Sequence, residues 1–339
     1  MKKNILILCF IFVTSVILAH AEYKVINHYP VGGGVAYDYV RFDEPQRRLY
    51  IAHGVEVNVL DADTGEKLGV LAPTKGVHGV ALVHRLNLGF ITCGLDRSVA
   101  VFDTKTLHII KTIPGMGVKP DAIEYDEATN RVYVANGTSG GITVIDPDTL
   151  TISANVPLVG KLEGMAFDGR GHLYVNTEDK SAIQEVDLKT LKPMASWSID
   201  PVEGGTGLAI DPVTHRLFSS GGNGMLAVVD SDTGKLIATP EIGEDPDGDT
   251  FDSSTGLIFT SNVGGTISIL HEDSANKYSL VQTVASAYGA RTITSVDSKT
   301  GHFFVVTGKF SDPVKAAEGQ KAPRRKMTPG TFEVLVIGQ

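Results

Sequence analysis

One pattern recurs along the chain every 40 to 45 residues, and it restricts the fold more than any other feature. An apolar segment ends in Asp and turns. A Tyr/Phe-Val-Ala type segment follows, and a Gly or Asn turn leads into a third segment that ends in a second Asp. The clearest copy reads Ala122-Ile123-Glu124-Tyr125-Asp126, Arg131-Val132-Tyr133-Val134-Ala135-Asn136 and Ile142-Thr143-Val144-Ile145-Asp146. Anchored on the first Asp, the copies fall at Asp43, Val83, Asp126, Asp168, Asp211, Asp252 and Asp297, with Val83 the one departure. The aromatic of the second segment follows at Tyr50, Phe90, Tyr133, Tyr174, Phe218, Phe259 and Phe304. The anchors themselves are expected to be structural, because Asp accepts hydrogen bonds from backbone amides just beyond it and so fixes the turn.

Each copy supplies three strands and a weaker fourth, such as Leu68 to Leu71 or Leu236 to Ala238. Four antiparallel strands in one repeat make a propeller blade, which buries its faces only by packing against its neighbours. The expected fold is therefore all-β: a seven-bladed β-propeller with four antiparallel strands per blade. The seventh copy ends at Phe332 to Ile337 without room for a fourth strand, whereas Tyr23 to Tyr29 reads as a strand belonging to no copy. The N-terminal strand is predicted to close the last blade and leave no open edge.

Residues 1–21 have the parts of a secretory signal: Lys2 and Lys3, an apolar run from Ile5 to Leu18, and Ala19 and Ala21 around a cleavage point at about Ala21. The run is too short to span a bilayer, and no later segment is continuously apolar. The expectation is an exported protein, periplasmic or secreted, whose residues 22–339 form a single propeller domain. Removing those 21 of 339 residues leaves Cys93 as the sole cysteine, which excludes an internal disulfide. Without Lys2 and Lys3, 28 of the 30 basic side chains face 39 acidic ones, a net charge of −11 that argues against nucleic acid as a partner.

The segments Tyr133-Val134-Ala135-Asn136 and Tyr174-Val175-Asn176-Thr177, with the repeated Val-Ile/Val-Asp endings, resemble the YVTN repeat family of exported seven-bladed (YncE-like) propellers. The resemblance covers nearly all of the chain after the signal. It implies the fold, but no activity, because the family shares no catalytic motif.

A functional site is expected where the inner strands begin, at one mouth of the central channel. Five residues before each anchor stand Asp38, His78, Asp121, Glu163, Thr206, Asp247 and Thr292, with Arg291 beside the last. The second strands return to the same mouth at His53, Cys93, Asn136, Thr177, Gly221, Asn262 and Thr307. Carboxylate, amide and imidazole groups converging on a channel can bind a polar ligand, hold a divalent cation or position a proton-transfer water, although channels lined only by structural polar groups are common. The ligand-binding candidates are Asp38, His78, Asp121, Glu163, Asp247 and Arg291. For His78, Glu163 and Asp247, a following Gly would let backbone and ligand approach closely. The seventh repeat carries a basic insertion, 309–330, in place of a tight hairpin. Six Lys or Arg against Asp312 and Glu318 give it a charge of +4, and it brings Arg324 and Arg325 towards the same mouth, either as a lid or as a surface segment without a role.

Three functions follow as expectations. The first is a binding or interaction module that takes a small-molecule ligand or an envelope protein at the mouth. The second is a metal-assisted hydrolase or lyase, lactonase-like, with Glu163, Asp247, Asn136 and Asn262 as candidate metal ligands and His78 or His53 as candidate base. The third is a periplasmic redox or cofactor-handling propeller with His78 or His53 as axial ligand. No Cys-x-x-Cys-His, P-loop or Gly-x-Ser-x-Gly motif is present, which removes covalent c-type haem, phosphate cradling by a P-loop and the usual nucleophile elbow.

Overall fold

The computed structural model describes residues 22–313 and 325–339. The expected signal peptide and Arg324 lie outside the described residues. Seven four-stranded antiparallel sheets form seven blades. Their inner strands are Val40–Asp43, Val77–Val83, Pro120–Asp126, Leu162–Phe167, Gly205–Asp211, Pro246–Asp252 and Arg291–Ile293, defining blades 1 to 7 in order. Blade 7 is built from Arg291–Ile293, Phe303–Thr307 and Glu333–Gly338, and its outermost strand is Lys24–Pro30, paired antiparallel from Lys24 with Gly338 to Pro30 with Glu333. The N-terminal strand thus closes the ring.

Burial follows from position within a blade. In the second strand of blade 3, Arg131–Asn136, every side chain after Arg131 is buried, because adjoining blades cover both faces of the sheet. In the outer strand Thr151–Val156 exposed and covered residues alternate, since one face meets solvent. The seven repeat aromatics are at most 1 % exposed. Several reach the next blade, as in Tyr133 on Phe167 (5.2 Å between centroids), Phe218 on Phe251 (5.4 Å) and Phe259 on Phe303 (4.7 Å). The core is accordingly divided into apolar clusters at the blade-to-blade junctions, such as Tyr50, Val77 and Phe102 between blades 1 and 2.

The anchor aspartates cap their turns. Asp126 Oδ2 accepts from the Thr129 amide at 2.9 Å and the Thr129 hydroxyl at 2.6 Å, and Asp168 Oδ1 accepts from the amides of Arg170 (2.7 Å) and His172 (3.0 Å). The chain then passes through a left-handed residue, Asn130 (φ 53°) in blade 3 and Gly256 (φ 70°) in blade 6, before the second strand begins.

The inner strands meet through glycine. A Cβ at Gly207 of blade 5 would lie 2.6 Å from the Asp249 amide nitrogen and 2.8 Å from the Gly248 carbonyl carbon of blade 6. Gly164 makes the same approach to Thr206 O (2.7 Å) and Leu208 N (2.9 Å), and Gly79 to Ile123 Cγ2 (2.8 Å). The glycines that sequence associated with ligand approach therefore face the next blade. Gly207→Ala should lower stability by about 1–3 kcal/mol in urea unfolding, because backbone must move to admit the methyl. Deleting residues 22–30 should lower the Tm and cause concentration-dependent self-association on gel filtration, since Glu333–Gly338 then becomes an unpaired edge.

Candidate functional site

A bulge at the start of the inner strand sets each ring position in blades 2 to 7. The strand register breaks between Val77 and Val80, Pro120 and Ile123, Leu162 and Met165, Gly205 and Leu208, Pro246 and Gly248, and Arg291 and Ile293. These intervals contain His78, Asp121, Glu163, Thr206, Asp247 and Thr292. A bulge re-aims a side chain and frees backbone groups from the ladder. Those groups are satisfied from second strands: Thr92 Oγ1 donates to Asp121 O (2.7 Å), and Asn176 Nδ2 donates to Thr206 O (3.1 Å) and Gly207 O (2.7 Å). This accounts for two fully buried polar side chains.

His78 is the centre of one charged group. Its Nδ1 hydrogen-bonds the Asp38 carboxylate and lies 3.3 Å from Asp121 Oδ1. Burial opposes the charged imidazole, but the Asp38 hydrogen bond and the Asp121 charge outweigh it and raise the His78 pKa. Asp121, 2 % exposed, has its own pKa raised by burial and by Asp38, with His78 and Lys119 opposing. Lys119 Nζ stands 2.6 Å from Asp121 Oδ2.

On the adjoining blade 4, Lys161 pairs with Glu163 at 3.0 Å and also with Glu178. Burial, reinforced by the Asp121 charge, pushes Glu163 up to about 8 despite that lysine. Arg291 approaches Asp247 only to 3.8 Å, donates to the Tyr37 carbonyl and lies 4.4 Å over the Tyr37 ring. Burial pushes Asp247 up to about 7, with Arg291 the main opposing influence, and burial does the same to Asp249.

Below the ring lies a chamber of about 220 Å³ lined by Tyr39, Glu163, Thr206, Asp247, Asp249 and Thr292 among others. Tyr39 is part of the chamber wall, and its pKa is raised well above its ordinary value by burial, with the charges of Asp121, Glu163, Asp38 and Asp247 adding to the rise. Deeper in the channel, Arg41 of blade 1 pairs with Glu124 of blade 3 and donates to Val80 O of blade 2 at 3.0 Å.

The structure thus brings Asp38, His78 and Asp121 together, and sets Glu163, Asp247 and Arg291 around the same opening. His53 lies elsewhere. It is 4 % exposed, stacked on Phe332 at 4.5 Å, with Nε2 3.1 Å from Gly34 O and Nδ1 3.2 Å from Asn58 Nδ2, so both ring nitrogens are engaged. Asn136 Oδ1 accepts from the Gly117 amide (2.8 Å) and its Nδ2 donates to Thr143 Oγ1 (3.1 Å), while Asn262 Nδ2 donates to the Thr266 and Ser268 hydroxyls. Both amides brace hairpin tips behind the ring and do not join Glu163 and Asp247. Arg325 lies 4.2 Å over Tyr288 and donates to Ser311 O at 2.7 Å, where Phe310 and Met327 bridge the base of the basic insertion.

Lys119, Lys161, Glu178, Tyr39, Arg41 and Asp249 were not singled out by sequence. The repeated spacing Lys119-x-Asp121 and Lys161-x-Glu163, a lysine two residues before an acidic ring position, was a usable signal.

The raised carboxylates fix a pH dependence. Glu163 titrates near 8 when folded against 4.5 ordinarily, so across that window the folded chain keeps a proton that the unfolded chain releases, and stability falls as pH rises. The Tm should decline between about pH 5 and pH 8, and Glu163→Gln should flatten the decline.

No family model matches the chain, and no curated protein matches it in sequence. Among solved structures it is similar to a chain of hydrazine synthase from Kuenenia stuttgartiensis, with a TM-score of 0.68 and 15 % identity over 83 % of this chain and 94 % of that one. It is also similar to a chain of a mitotic checkpoint complex, with a TM-score of 0.73 and 14 % identity over 96 % of this chain and 99 % of that one. At such identities the likeness establishes the seven-bladed propeller and nothing about chemistry.

Proposed function

We propose that the chain is an exported binding propeller that takes a small zwitterionic or polyhydroxylated molecule in the charged chamber at its channel mouth. The observation that carries this is the gathering of acidic and basic side chains around one small space, with two of the carboxyls poised to donate or accept a proton near neutral pH. Glu163, Asp247 and Asp249 stand with Arg41 in the wall of the chamber of about 220 Å³, and outside that wall Lys161 reaches Glu163 at 3.0 Å and Arg291 reaches Asp247 at 3.8 Å. Arg291 and Asp247 are too far apart to satisfy each other fully, so a ligand with paired donor and acceptor groups would bridge them. The volume, below the usual range of about 300–1,000 Å³ for drug-sized ligands, suits a compact molecule rather than a nucleotide or polymer. Export rests on the signal-like residues 1–21.

A second function, metal-assisted hydrolysis or lysis, is favoured by one specific observation. Donor atoms of Asp38, His78 and Asp121 lie within 4.8 Å of one another. A divalent cation held there would compete with the proton that Asp38 and Asp121 favour on His78 against the opposing effect of burial, so it would bind more tightly as pH rises.

Thermal shift and calorimetry with amino acids, betaines, small polyols, Ca²⁺ and Zn²⁺ test both. Binding of a zwitterion or polyol, weakened about tenfold or more by Asp247→Asn, is expected for the binding propeller. Metal binding lost in Asp38→Asn and unaffected by Asp247→Asn would replace it with the metal-site function. A panel without any binding would remove both.

A further inference from the structure

We propose that the mouth face of the propeller is a docking surface for a protein segment that combines basic and apolar residues. This goes beyond the chamber, whose wall includes the ring residues Glu163 and Asp247.

Large aliphatic side chains are exposed there in a pattern the rest of the molecule lacks. Val35 is 49 % exposed, Val55 62 %, Leu95 77 %, Val118 39 % and Val159 66 %. All five sit at hairpin tips or inter-blade links on the mouth side of blades 1 to 4. On the opposite face Val213 is the only one so exposed among the described residues, and the others lie on outer strands.

Backbone contacts join most of these sites into one arc. The Thr74 amide donates to Val55 O (2.9 Å), the Leu95 amide to Lys75 O (3.2 Å), the Met116 amide to Arg97 O (3.1 Å) and the Thr138 amide to Val118 O (3.2 Å). Tips and the links before or after them are thus tied together through backbone, so the apolar groups are presented from fixed positions. Loop tips have no packing need for aliphatic residues, and a run of them on one face marks an interaction surface.

The other side of the same face is acidic. Glu203, Glu241, Glu244 and Asp245, on the links into blades 5 and 6, are exposed and have no ion-pair partner among the described residues. Glu241 and Glu244 flank a groove of about 350 Å³ floored by Gly243, Gly264, Thr266 and Ser268, with Leu280 at its edge. A Lys or Arg side chain suits this groove, its stem against Leu280 and its charged head between the two carboxylates. Charge complementarity therefore selects a basic partner segment at blades 5 and 6, and the aliphatic arc selects apolar residues at blades 1 to 4.

Fluorescence anisotropy at physiological salt tests this with three labelled synthetic peptides, composed of Lys/Leu/Ser, Glu/Leu/Ser or Lys/Ser. Only the Lys/Leu/Ser peptide is expected to bind. Its affinity should fall about tenfold in Leu95→Ser/Val159→Ser, and about tenfold in Glu241→Gln/Glu244→Gln. Val213→Ser on the opposite face and Asp247→Asn in the chamber should leave it unchanged. Equal binding of the Glu/Leu/Ser or Lys/Ser peptide, an equal loss in Val213→Ser, or no binding by any peptide would overturn the proposal. A loss confined to Asp247→Asn would also overturn it, by moving the peptide into the chamber.

Discussion

The close approach of neighbouring inner strands governs the centre of this molecule. Four junctions bring a glycine of one blade against the backbone or inner strand of the next: Gly79, Gly164, Gly207 and Gly248. Where a methyl group would clash with main chain, the spacing of the strands is set by the backbone itself. Interiors packed at this density deform little, so the channel has a fixed bore and its lining side chains keep fixed neighbours. The bulges beside these glycines turn the ring side chains, and buried Thr92 and Asn176 hold the backbone atoms that the bulges release.

Such crowding has an electrostatic cost that the chain offsets locally. Two unit charges 4 Å apart at an effective dielectric constant of 20 interact by about 4 kcal/mol, so Asp38 and Asp121 could not both stay ionised side by side without compensation. His78 lies against both, and Lys119 covers the far oxygen of Asp121. Lys161 does the same for Glu163. The compensation is weakest on blade 6, where Asp247 has only a distant Arg291 and Asp249 relies on the Ser220 amide at 2.8 Å. That is the part of the wall where a donor brought by a ligand would find the least competition.

The repeat made the fold legible because a blade is a local object. Its aromatic, its capping Asp and its turn residue recur at fixed spacing, and the missing fourth strand of the last repeat pointed to Lys24–Pro30. The ring positions were legible for the same reason. Which of them interact was not, because that depends on contacts between blades. Sequence could not distinguish His78, which faces two carboxylates, from His53, which is enclosed by Phe332 and Gly34. Nor could it show that Asn136 and Asn262 spend their amides on hairpin tips. The glycines after His78, Glu163 and Asp247 were read as room for a ligand. They are room for the neighbouring strand, a role visible only once the strands are side by side.

Closure of the ring by Lys24–Pro30 also imposes an order on folding. Blades 1 to 6 are each contiguous in sequence and can pair their strands as the chain becomes available, but Lys24 must wait for Gly338, almost the whole chain away. Contacts of such separation are slow to form because a long loop must close first. Until then two junctions lack a finished partner: Tyr23 is needed against Phe259 and Phe303, and Tyr29 against the first blade. The propeller is therefore held open as an arc through most of its assembly, and the last pairing to form converts that arc into a ring.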